Sequence, residues 1–457
     1  MQFEVGNDIY VRNPTKELRE WCRTNLVLDN PDYYKKVRMG LWTGGTPESI
    51  NLYEKRGNDL VLPFGCVAGL QRKYPDARFI SRIKPSAAFW CESGINLYPY
   101  QEKAVKAALR ARNGVIVMPC GAGKTQTALE IISILGIRTL WLTHTQDLLN
   151  QSLNRAKSVL NCVSSSYGTI TGGKVNIGTG ITFATVQTMS KLDLSRYRDA
   201  WGCIIVDECH KAIGSPTKVM QFYKVLSHLS CRYKFGITAT PKRADGLEKS
   251  MFALIGDIVH EVSREEVKDT TCPVKVQFVE TGYMPNLDMA LSGDGTINYA
   301  GLVDDLTGNA DRFNLISNLI NKLNEPTLVL GNRVKFLQEL NDVYIGKSIC
   351  LSALGNSKVA KRERKEALRK LNDREISCVF ATYQLAKEGL DVPNLRYVVF
   401  ATPEKDETTV MQAAGRVGRK ADGKQYGTVI DFVDSFGMFS GWKNKRIAVY
   451  KKLGYEL

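Results

Sequence analysis

Two adjacent carboxylates, Asp207 and Glu208, follow the apolar run of residues 203–206 and lie downstream of a glycine-rich segment, GAGKT, at residues 121–125. Glycines in such a loop let backbone N–H groups close around phosphate oxygens, and the start of the next helix adds its positive end. A buried strand that ends in two carboxylates can hold Mg²⁺ and polarise a water beside a triphosphate. Together the two motifs predict an enzyme that hydrolyses ATP.

The glycine-rich loop has a predicted role at each position. The backbone of Gly121, Ala122 and Gly123 would surround the phosphates. Lys124 would reach the β- and γ-phosphates, and the hydroxyl of Thr125 would ligate Mg²⁺.

The carboxylates and the polar residues after them predict hydrolysis and coupling. Asp207 would hold the metal through water, and Glu208 is the candidate base that positions the attacking water. His210 would contact the γ-phosphate or couple to a second domain, although a lone histidine is more often structural. Thr238 and Thr240 follow the strand at residues 233–237, and their hydroxyls could link the nucleotide site to a nucleic-acid groove. Read alone, they form an ordinary turn.

In the second half of the chain, two arginines have a predicted catalytic role. They lie in the segment QAAGRVGR at residues 412–419. On a helix, Arg416 and Arg419 would point the same way, because they are three positions apart. Two guanidinium groups could neutralise the charge that develops on a γ-phosphoryl group. The alternative is a basic exposed face, which the small residues around both arginines disfavour.

Helices alternate with short β-branched strands twice along the chain, and this pattern predicts parallel sheets with helices on both faces. Ligands of such sheets bind at the carboxyl ends of the strands. The predicted strands lie at residues 115–118, 139–142, 181–184 and 204–206, and at residues 327–330, 348–351, 378–381, 397–400 and 428–432. Because Met118 replaces the first glycine of the phosphate-loop pattern, a coincidental glycine turn is the alternative. The flanking strand and a helix at residues 127–135 favour the phosphate loop.

Four segments are expected. A small mixed α+β domain over residues 1–92, with a helix at 17–26 and a strand at 59–63, precedes the first α/β domain at residues 93–262. A connector with one strand, at 274–279, covers residues 263–308. The second α/β domain covers residues 309–457 and ends in a basic helical tail after Trp442.

Composition indicates the partner and the compartment. The formal net charge of +15 over 457 residues fits a polyanion, although a merely soluble basic protein has the same charge. The N-terminal region places Tyr33, Tyr34 and Trp42 among many basic residues, which fits nucleic acid or an ordinary solvated face.

The eleven cysteines form no Cys-x-x-Cys pair, so structural zinc is not expected. Scattered thiols of this kind predict a reducing compartment. No secretory signal or membrane-spanning run is apparent, and we expect a cytoplasmic protein.

The ordered series GAGKT, DECH, TATP and QAAGRVGR resembles the superfamily 2 helicases and translocases over residues 95–435. The resemblance implies two RecA-like domains in tandem, with ATP bound in a cleft and nucleic acid crossing both domains. Its implied site residues are Gln101 at the adenine, Thr143, His144, Thr185, Gln187, Thr188 and Thr382 at nucleic acid, Gly389 and Asp391 at the nucleotide, and Gln412 in the catalytic group with Arg416 and Arg419.

The segments NPDYY, LYE and LP, at residues 30–34, 52–54 and 62–63, are similar to phage branch-migration helicases and to the xeroderma pigmentosum group B type. N-terminal domains of that kind bind duplex or branched DNA. This resemblance implies a compact, monomeric phage or bacterial DNA helicase or translocase of recombination, repair or replication. The alternatives are an RNA helicase and a nucleic-acid-binding scaffold with a degenerate ATPase. The intact Lys124, Glu208, Arg416 and Arg419 argue against the scaffold.

Overall fold

The computed structural model describes residues 1–243, 245–291, 296–354, 358–387 and 392–457. The chain divides into two compact units. The first unit comprises residues 1–119 and 123–263, and the second comprises residues 120–122 and 264–457. In the described part of the chain, no helix is both long and apolar enough to cross a membrane.

The N-terminal region is a mixed α+β layer built on a sheet with the order β5-β6-β2-β1-β7. Its strands are β1 (Gln2–Val5), β2 (Asp8–Val11), β3 (Val27–Asp29), β4 (Ser49–Asn51), β5 (Glu54–Arg56), β6 (Asp59–Pro63), β7 (Arg78–Ser81) and β8 (Glu92–Ser93). Its helices are α1 (Lys16–Asn25), α2 (Pro31–Arg38) and α3 (Val67–Lys73). The predicted helix and strand of this region are confirmed as α1 and β6. Helix α1 begins where it does because the Thr15 side chain accepts the N–H of Leu18.

The N-terminal region shares a hydrophobic core with the parallel sheet that follows it. Leu18 and Leu62 belong to the same buried cluster as Leu247 and Ala253. Lys234 is also buried, with its Nζ 4.4 Å from the centre of the Phe64 ring. The two parts of the first unit are therefore packed together rather than joined by a linker alone.

The remainder of the first unit is the predicted parallel sheet, in the order β13-β12-β14-β10-β15-β16-β9-β17. Its strands are β9 (Asn113–Val117), β10 (Thr139–Thr143), β12 (Tyr167–Thr171), β13 (Lys174–Asn176), β14 (Ile181–Thr185), β15 (Cys203–Asp207), β16 (Tyr233–Thr238) and β17 (Ile258–Glu261), while β11 (Leu160–Asn161) pairs with β8. Its helices are α4 (Pro99–Ala111), α5 (Lys124–Leu135), α6 (Gln146–Val159), α7 (Val186–Met189), α8 (Gln221–Leu226) and α9 (Glu248–Ile255). All neighbouring strands are parallel except the edge strand β13, which is antiparallel to β12. Strands β9, β10, β14 and β15 are buried along their whole length, as expected when helices cover both faces.

The second unit contains a parallel sheet in the order β18-β23-β22-β19-β21-β20. Its strands are β18 (Val274–Glu280), β19 (Thr327–Gly331), β20 (Ser348–Cys350), β21 (Cys378–Thr382), β22 (Tyr397–Phe400) and β23 (Gly427–Val433). Its helices are α10 (Arg264–Val267), α11 (Leu287–Ala290), α12 (Tyr299–Gly308), α13 (Ala310–Ile320), α14 (Val334–Asp342), α15 (Lys358–Asn372), α16 (Tyr383–Lys387), α17 (Glu407–Ala414) and α18 (Gly437–Lys452). The strand predicted inside the connector is β18, and it forms one edge of this sheet. The predicted fold class, two RecA-like α/β domains after a small mixed domain, is confirmed.

The basic C-terminal tail forms helix α18, and one of its basic residues points inward. Arg446 is buried, and its Nε and Nη2 lie 2.8 and 2.9 Å from the two carboxylate oxygens of Asp431. The hydroxyl of Tyr450 donates to the same carboxylate at 3.0 Å. Burial raises the pKa of Asp431, and the charge of Arg446 opposes that rise. This buried ion pair fixes α18 against β23.

Replacing Arg446 with alanine is expected to lower the free energy of unfolding by about 3–5 kcal/mol, because Asp431 would stay buried without its counter-charge. Urea unfolding followed by circular dichroism measures the change. Lys451→Ala is the control, since Lys451 is exposed on the same helix and its loss should change stability by about 0.5 kcal/mol or less. Equal stability of the two variants would contradict the structural role of the pair.

Candidate nucleotide and nucleic-acid site

The phosphate loop lies between β9 and α5, as the sequence predicts. Gly121 and Gly123 have φ angles of 84° and 77°, in the left-handed region that favours glycine. A Cβ atom on Gly123 would lie 2.2 Å from Nε2 of Gln101, so glycine is also needed there for space. Helix α5 starts at Lys124, with Thr125 in its first turn.

Gln101, the predicted adenine-side residue, is buried and held against this loop. Its Oε1 accepts the backbone N–H of Tyr98 at 2.9 Å, which directs its amide nitrogen toward Gly123. The Tyr98 ring stacks on that of Tyr100, with the ring centres 5.6 Å apart. Contact of Gln101 with a base stays a prediction, but its position beside the phosphate loop is fixed by these contacts.

Strand β15 leads into the two carboxylates, and strand β9 leads into the phosphate loop. In the sheet, β16 lies between these two strands. Asp207 is the last residue of β15 and is buried; its Oδ1 accepts the N–H of Glu208 at 3.0 Å, and its Oδ2 lies 3.5 Å from the hydroxyl of Ser152. Glu208 has a φ of 49°, a strained conformation for a residue with a side chain. Because of this turn, the carboxylates of Asp207 and Glu208 point in different directions, and that of Glu208 lies beside His210.

Glu208 is connected to the two predicted coupling threonines through His210. Nδ1 of His210 lies 3.3 Å from Oε2 of Glu208 and 3.0 Å from the hydroxyl of Thr238. That hydroxyl is 3.1 Å from both the carbonyl oxygen and the backbone nitrogen of Thr240. The structure therefore joins all four residues, which the sequence places at the ends of two different strands, in one hydrogen-bonded chain.

The pKa of Asp207 is raised, whereas the pKa of Glu208 is lowered. Burial raises the pKa of Asp207, the neighbouring charge of Glu208 adds to the rise, and Lys124 opposes it. Burial also raises the pKa of Glu208, but the hydrogen bond from His210 and the charge of Lys124 outweigh it, so this pKa is lowered. The lowered pKa keeps the carboxylate of Glu208 ionised, so it can accept a hydrogen bond from a water.

The predicted strand-contacting residues of the first unit gather at the ends of β10 and β14. Thr143 and Thr185 are the last residues of these strands and pair directly in register. Nε2 of Gln187 donates to the carbonyl oxygen of His144 at 2.6 Å, and the hydroxyls of Thr185 and Thr188 lie 3.0 Å apart. These contacts bring five predicted residues to one edge of the sheet.

Thr143 and Thr185 are buried and His144 is half-buried, so these three side chains are less accessible than the prediction implies. Thr143 is fully buried, and its hydroxyl donates to the carbonyl oxygen of Thr145 at 3.0 Å. Burial, reinforced by the charge of Lys211, lowers the pKa of His144 to about 4, so its imidazole is neutral at physiological pH. The exposed contribution of this edge comes mainly from Gln187.

In the second unit, Thr382 is the last residue of β21. Its backbone N–H donates to the hydroxyl of Ser352 at 2.7 Å, and its own hydroxyl lies 3.5 Å from the backbone nitrogen of Leu385. The predicted nucleotide residues Gly389 and Asp391 lie outside the described residues.

The prediction that Arg416 and Arg419 share a helix is wrong. Helix α17 contains Gln412 but ends at Ala414, and both arginines lie in the turns that follow. The backbone there forms hydrogen bonds between residues three positions apart, such as the bond from the Arg416 N–H to the Ala413 carbonyl oxygen at 3.3 Å. This is expected where glycines 415 and 418 disfavour the α-helix. Arg416 is buried, and its Nη2 donates to the carbonyl oxygen of Ala386, whereas Arg419 is more accessible.

Two residues at the site were missed by the sequence reasoning. Ser152 approaches Asp207 from helix α6. Arg243 donates to the backbone carbonyl of His210 at 2.6 Å and forms an ion pair with Asp245 at 2.6 Å. The position of Arg243 just after the TATP motif was the only signal available for it; Ser152 gave none.

Two family models match the chain. Residues 94–243 match the model described as "Type III restriction enzyme, res subunit", and residues 311–421 match "Helicase conserved C-terminal domain". Together they cover the two regions that carry the motifs.

Three relatives are similar over most of the chain. Protein L396 of Acanthamoeba polyphaga mimivirus, named as an ATP-dependent RNA helicase, is 29% identical over 92% of this chain and 82% of its own length. "DNA 3'-5' translocase XPB2" of Sulfurisphaera tokodaii is 28% identical over 72% of this chain and 80% of its own length. Protein D10 of Escherichia phage T5, named as a helicase, is 25% identical over 74% and 71% of the two chains.

Solved structures agree on the fold. Dbp5 of S. cerevisiae bound to RNA and ADP BeF3 covers 79% of this chain and 88% of its own, with a TM-score of 0.53 and 16% identity. The Type ISP restriction-modification enzyme LlaBIII bound to DNA covers 79% of this chain and 30% of its own, with a TM-score of 0.55 and 16% identity.

Proposed function

Since the chain belongs to the superfamily 2 helicases, which are nucleic-acid-dependent ATP hydrolases, we propose that its substrate is DNA and that it remodels duplex or branched DNA as a monomeric motor. The observation that carries the proposal is the hydrogen-bonded chain from Glu208 through His210 and Thr238 to Thr240. Through these hydrogen bonds, ATP hydrolysis beside Glu208 would change the positions of the residues at the end of β16.

DNA is favoured over RNA by the name of one similar protein. The relative from Sulfurisphaera tokodaii is named as a DNA translocase, whereas the phage T5 relative is named as a helicase without a stated nucleic acid. The L396 name supports the RNA alternative, so the proposal needs a direct comparison of the two nucleic acids. The net charge of +15 suits either polyanion.

The first unit supplies the groups for hydrolysis. Lys124 would neutralise the terminal phosphates, and the carboxylate of Glu208, which its lowered pKa keeps ionised, would position the attacking water. The oxygen atoms of Asp207 and Thr125 suit Mg²⁺, because a carboxylate and a hydroxyl are hard ligands and burial leaves Asp207 in need of a cation. Bound Mg²⁺ would supply positive charge beside the phosphates.

The second unit would complete the reaction. We propose that Arg416 and Arg419 neutralise the charge that develops on the γ-phosphoryl group, with Gln412 in the same catalytic group. Thr382 would contact the nucleic-acid backbone. Gly389 and Asp391 would contact the nucleotide, as the family resemblance implies.

The test of the proposed function is ATP turnover with single-stranded DNA, duplex, fork, four-way junction and RNA of equal length. We expect the fork and the junction to stimulate turnover most and RNA least. Greater stimulation by RNA would favour the RNA helicase. ATP binding without turnover on any nucleic acid would favour the scaffold.

Thr238→Val tests the coupling chain, because it keeps the shape of the side chain and removes the hydroxyl that bonds His210. We expect DNA stimulation of ATP turnover to fall by about 10-fold, the cost of one or two buried hydrogen bonds, while the KM for ATP changes less. Thr182→Val is the matched control, since Thr182 is equally buried on β14 of the same sheet, away from His210, and its hydroxyl accepts the Gly178 N–H. Similar stimulation in both variants would exclude a coupling role for Thr238.

A further inference from the structure

An arm projects from the N-terminal region between the antiparallel strands β3 and β4, and we define it as residues 31–48. It consists of helix α2 and the loop that follows. Helix α2 contains no buried residue, so the helix does not contribute to a core. Something other than packing must account for its sequence.

The arm is nevertheless held in shape by its own contacts. Nζ of Lys36 donates to the hydroxyl of Thr46 at 2.6 Å, which ties the helix to the returning loop. Nδ2 of Asn30 donates to the carbonyl oxygen of Pro47 at 2.7 Å, and this closes the base of the arm. A preformed arm loses little conformational entropy when it binds a partner.

The end of the arm exposes an apolar surface. Trp42 is 82% exposed, and Val37, Met39 and Leu41 are each more than half exposed. The indole lies close to Gly44, where a Cβ atom would be only 1.8 Å from Cζ2 of the ring. Glycine therefore leaves the room that the ring occupies beside the backbone, and most of the ring stays exposed to a partner.

The charges around the ring indicate which partner. Lys35 and Arg38 are exposed on α2. The acidic Asp32 is paired with Lys218 at 2.7 Å, and Glu48 accepts the hydroxyl of Tyr34 at 3.1 Å. Since Lys218 balances Asp32, the three basic residues of the arm, Lys35, Lys36 and Arg38, outnumber its remaining carboxylate, and the arm is positively charged. An apolar partner protein would not require this charge, whereas a nucleic acid offers flat bases and phosphates together.

We propose that this arm is a base-stacking wedge: Trp42 stacks on an unpaired base where duplex DNA meets a single strand, and Lys35 and Arg38 hold the phosphates beside it. This inference rests on the proposed function. The base of the arm is attached to the segment that follows the DECH motif, through the Asp32–Lys218 pair and through the bond from the Asn51 N–H to the Thr217 hydroxyl at 3.2 Å. The arm is therefore attached to the segment of chain that follows Glu208 and His210.

Point variants test the wedge better than deletion of residues 1–92, because deletion would expose the core that Leu62 shares with Leu247 and Ala253. Trp42→Ala removes the ring, and Trp42→Phe keeps a stacking ring. Gly44→Ala keeps the indole but displaces it from its seat. Trp90→Ala is the matched control, since Trp90 is 63% exposed outside the arm.

The measurement is the affinity of the full chain for a fork that carries 2-aminopurine at the junction, and for single-stranded DNA of the same length. We expect Trp42→Ala to weaken fork binding by about 5-fold or more and to abolish the fluorescence change at the junction. Gly44→Ala should weaken fork binding in the same direction. Trp42→Phe should retain most of the affinity, and Trp90→Ala should match the wild type. Because Trp42 is exposed, melting temperatures should not change.

Fork binding by Trp42→Ala equal to the wild type, or an equal loss on fork and single-stranded DNA, would overturn the wedge. An unchanged 2-aminopurine signal in that variant would do the same. A wild-type chain that no DNA stimulates would instead refute the proposed function, so the two failures are distinguishable.

Discussion

Replacing Lys124 with alanine is expected to lower ATP turnover by about 10³-fold or more. The lysine begins helix α5 directly after the left-handed Gly123, where its ammonium group can meet the terminal phosphates. It also opposes the effect of burial, which raises the pKa of both Asp207 and Glu208. Its loss would therefore remove a phosphate contact and leave the candidate base less readily ionised.

Steady-state turnover with saturating fork DNA measures this effect, and the melting temperature shows whether the fold is intact. Lys106→Ala is a suitable control, because Lys106 is exposed on α4 and its ion pair with Glu102, at 3.3 Å, lies on the same helix. Glu208→Gln provides the complementary result, since it should bind ATP and hydrolyse it slowly. Turnover near the wild-type rate in either site variant would refute the assignment of this site.

Replacing Arg416 or Arg419 with alanine is expected to lower kcat by about 10³-fold with a much smaller change in the KM for ATP, because the charge they would neutralise develops only in the transition state. The structure makes Arg419 the cleaner test. Arg416 is buried and donates to the carbonyl oxygen of Ala386, so its replacement would also leave that group without its partner.

Arg416→Lys separates the two contributions. It keeps a positive charge but not the planar guanidinium group, so we expect kcat to stay low while the melting temperature recovers toward the wild type. If Arg419→Ala turned over ATP at the wild-type rate, and Arg416→Ala lost activity only in proportion to its lost stability, the catalytic role of both arginines would be excluded.

The strands were predictable because they are short, β-branched and bounded by polar residues. Strands such as β9 and β15 are buried on both faces, so their apolar runs have no competing interpretation. A spacing of three between Arg416 and Arg419 suits a turn as well as a helix, so the spacing alone predicts the wrong structure. The glycines at positions 415 and 418 are the signal for a turn, since each weakens a helix.

The contacts that make up the site were less predictable. Residues 208, 210 and 238 could be located at strand ends, but the bonds through His210 depend on the side-by-side order of β15 and β16. That order is a property of the folded sheet. The attachment of the N-terminal region to Leu247 and Ala253 likewise joins residues nearly two hundred positions apart, and no periodic pattern marks it.

The shared core of the N-terminal region and the first parallel sheet has a mechanical consequence. A part joined by a flexible linker absorbs a displacement in the linker, whereas parts with one close-packed interior move as a rigid body. A shift of the strand ends around Asp207 and Thr238 would therefore move the N-terminal sheet with it, and the pair between Asp32 and Lys218 would pass that motion to the base of the arm. Substitution of Ala253 in helix α9 would loosen this coupling without touching either the carboxylates or the arm.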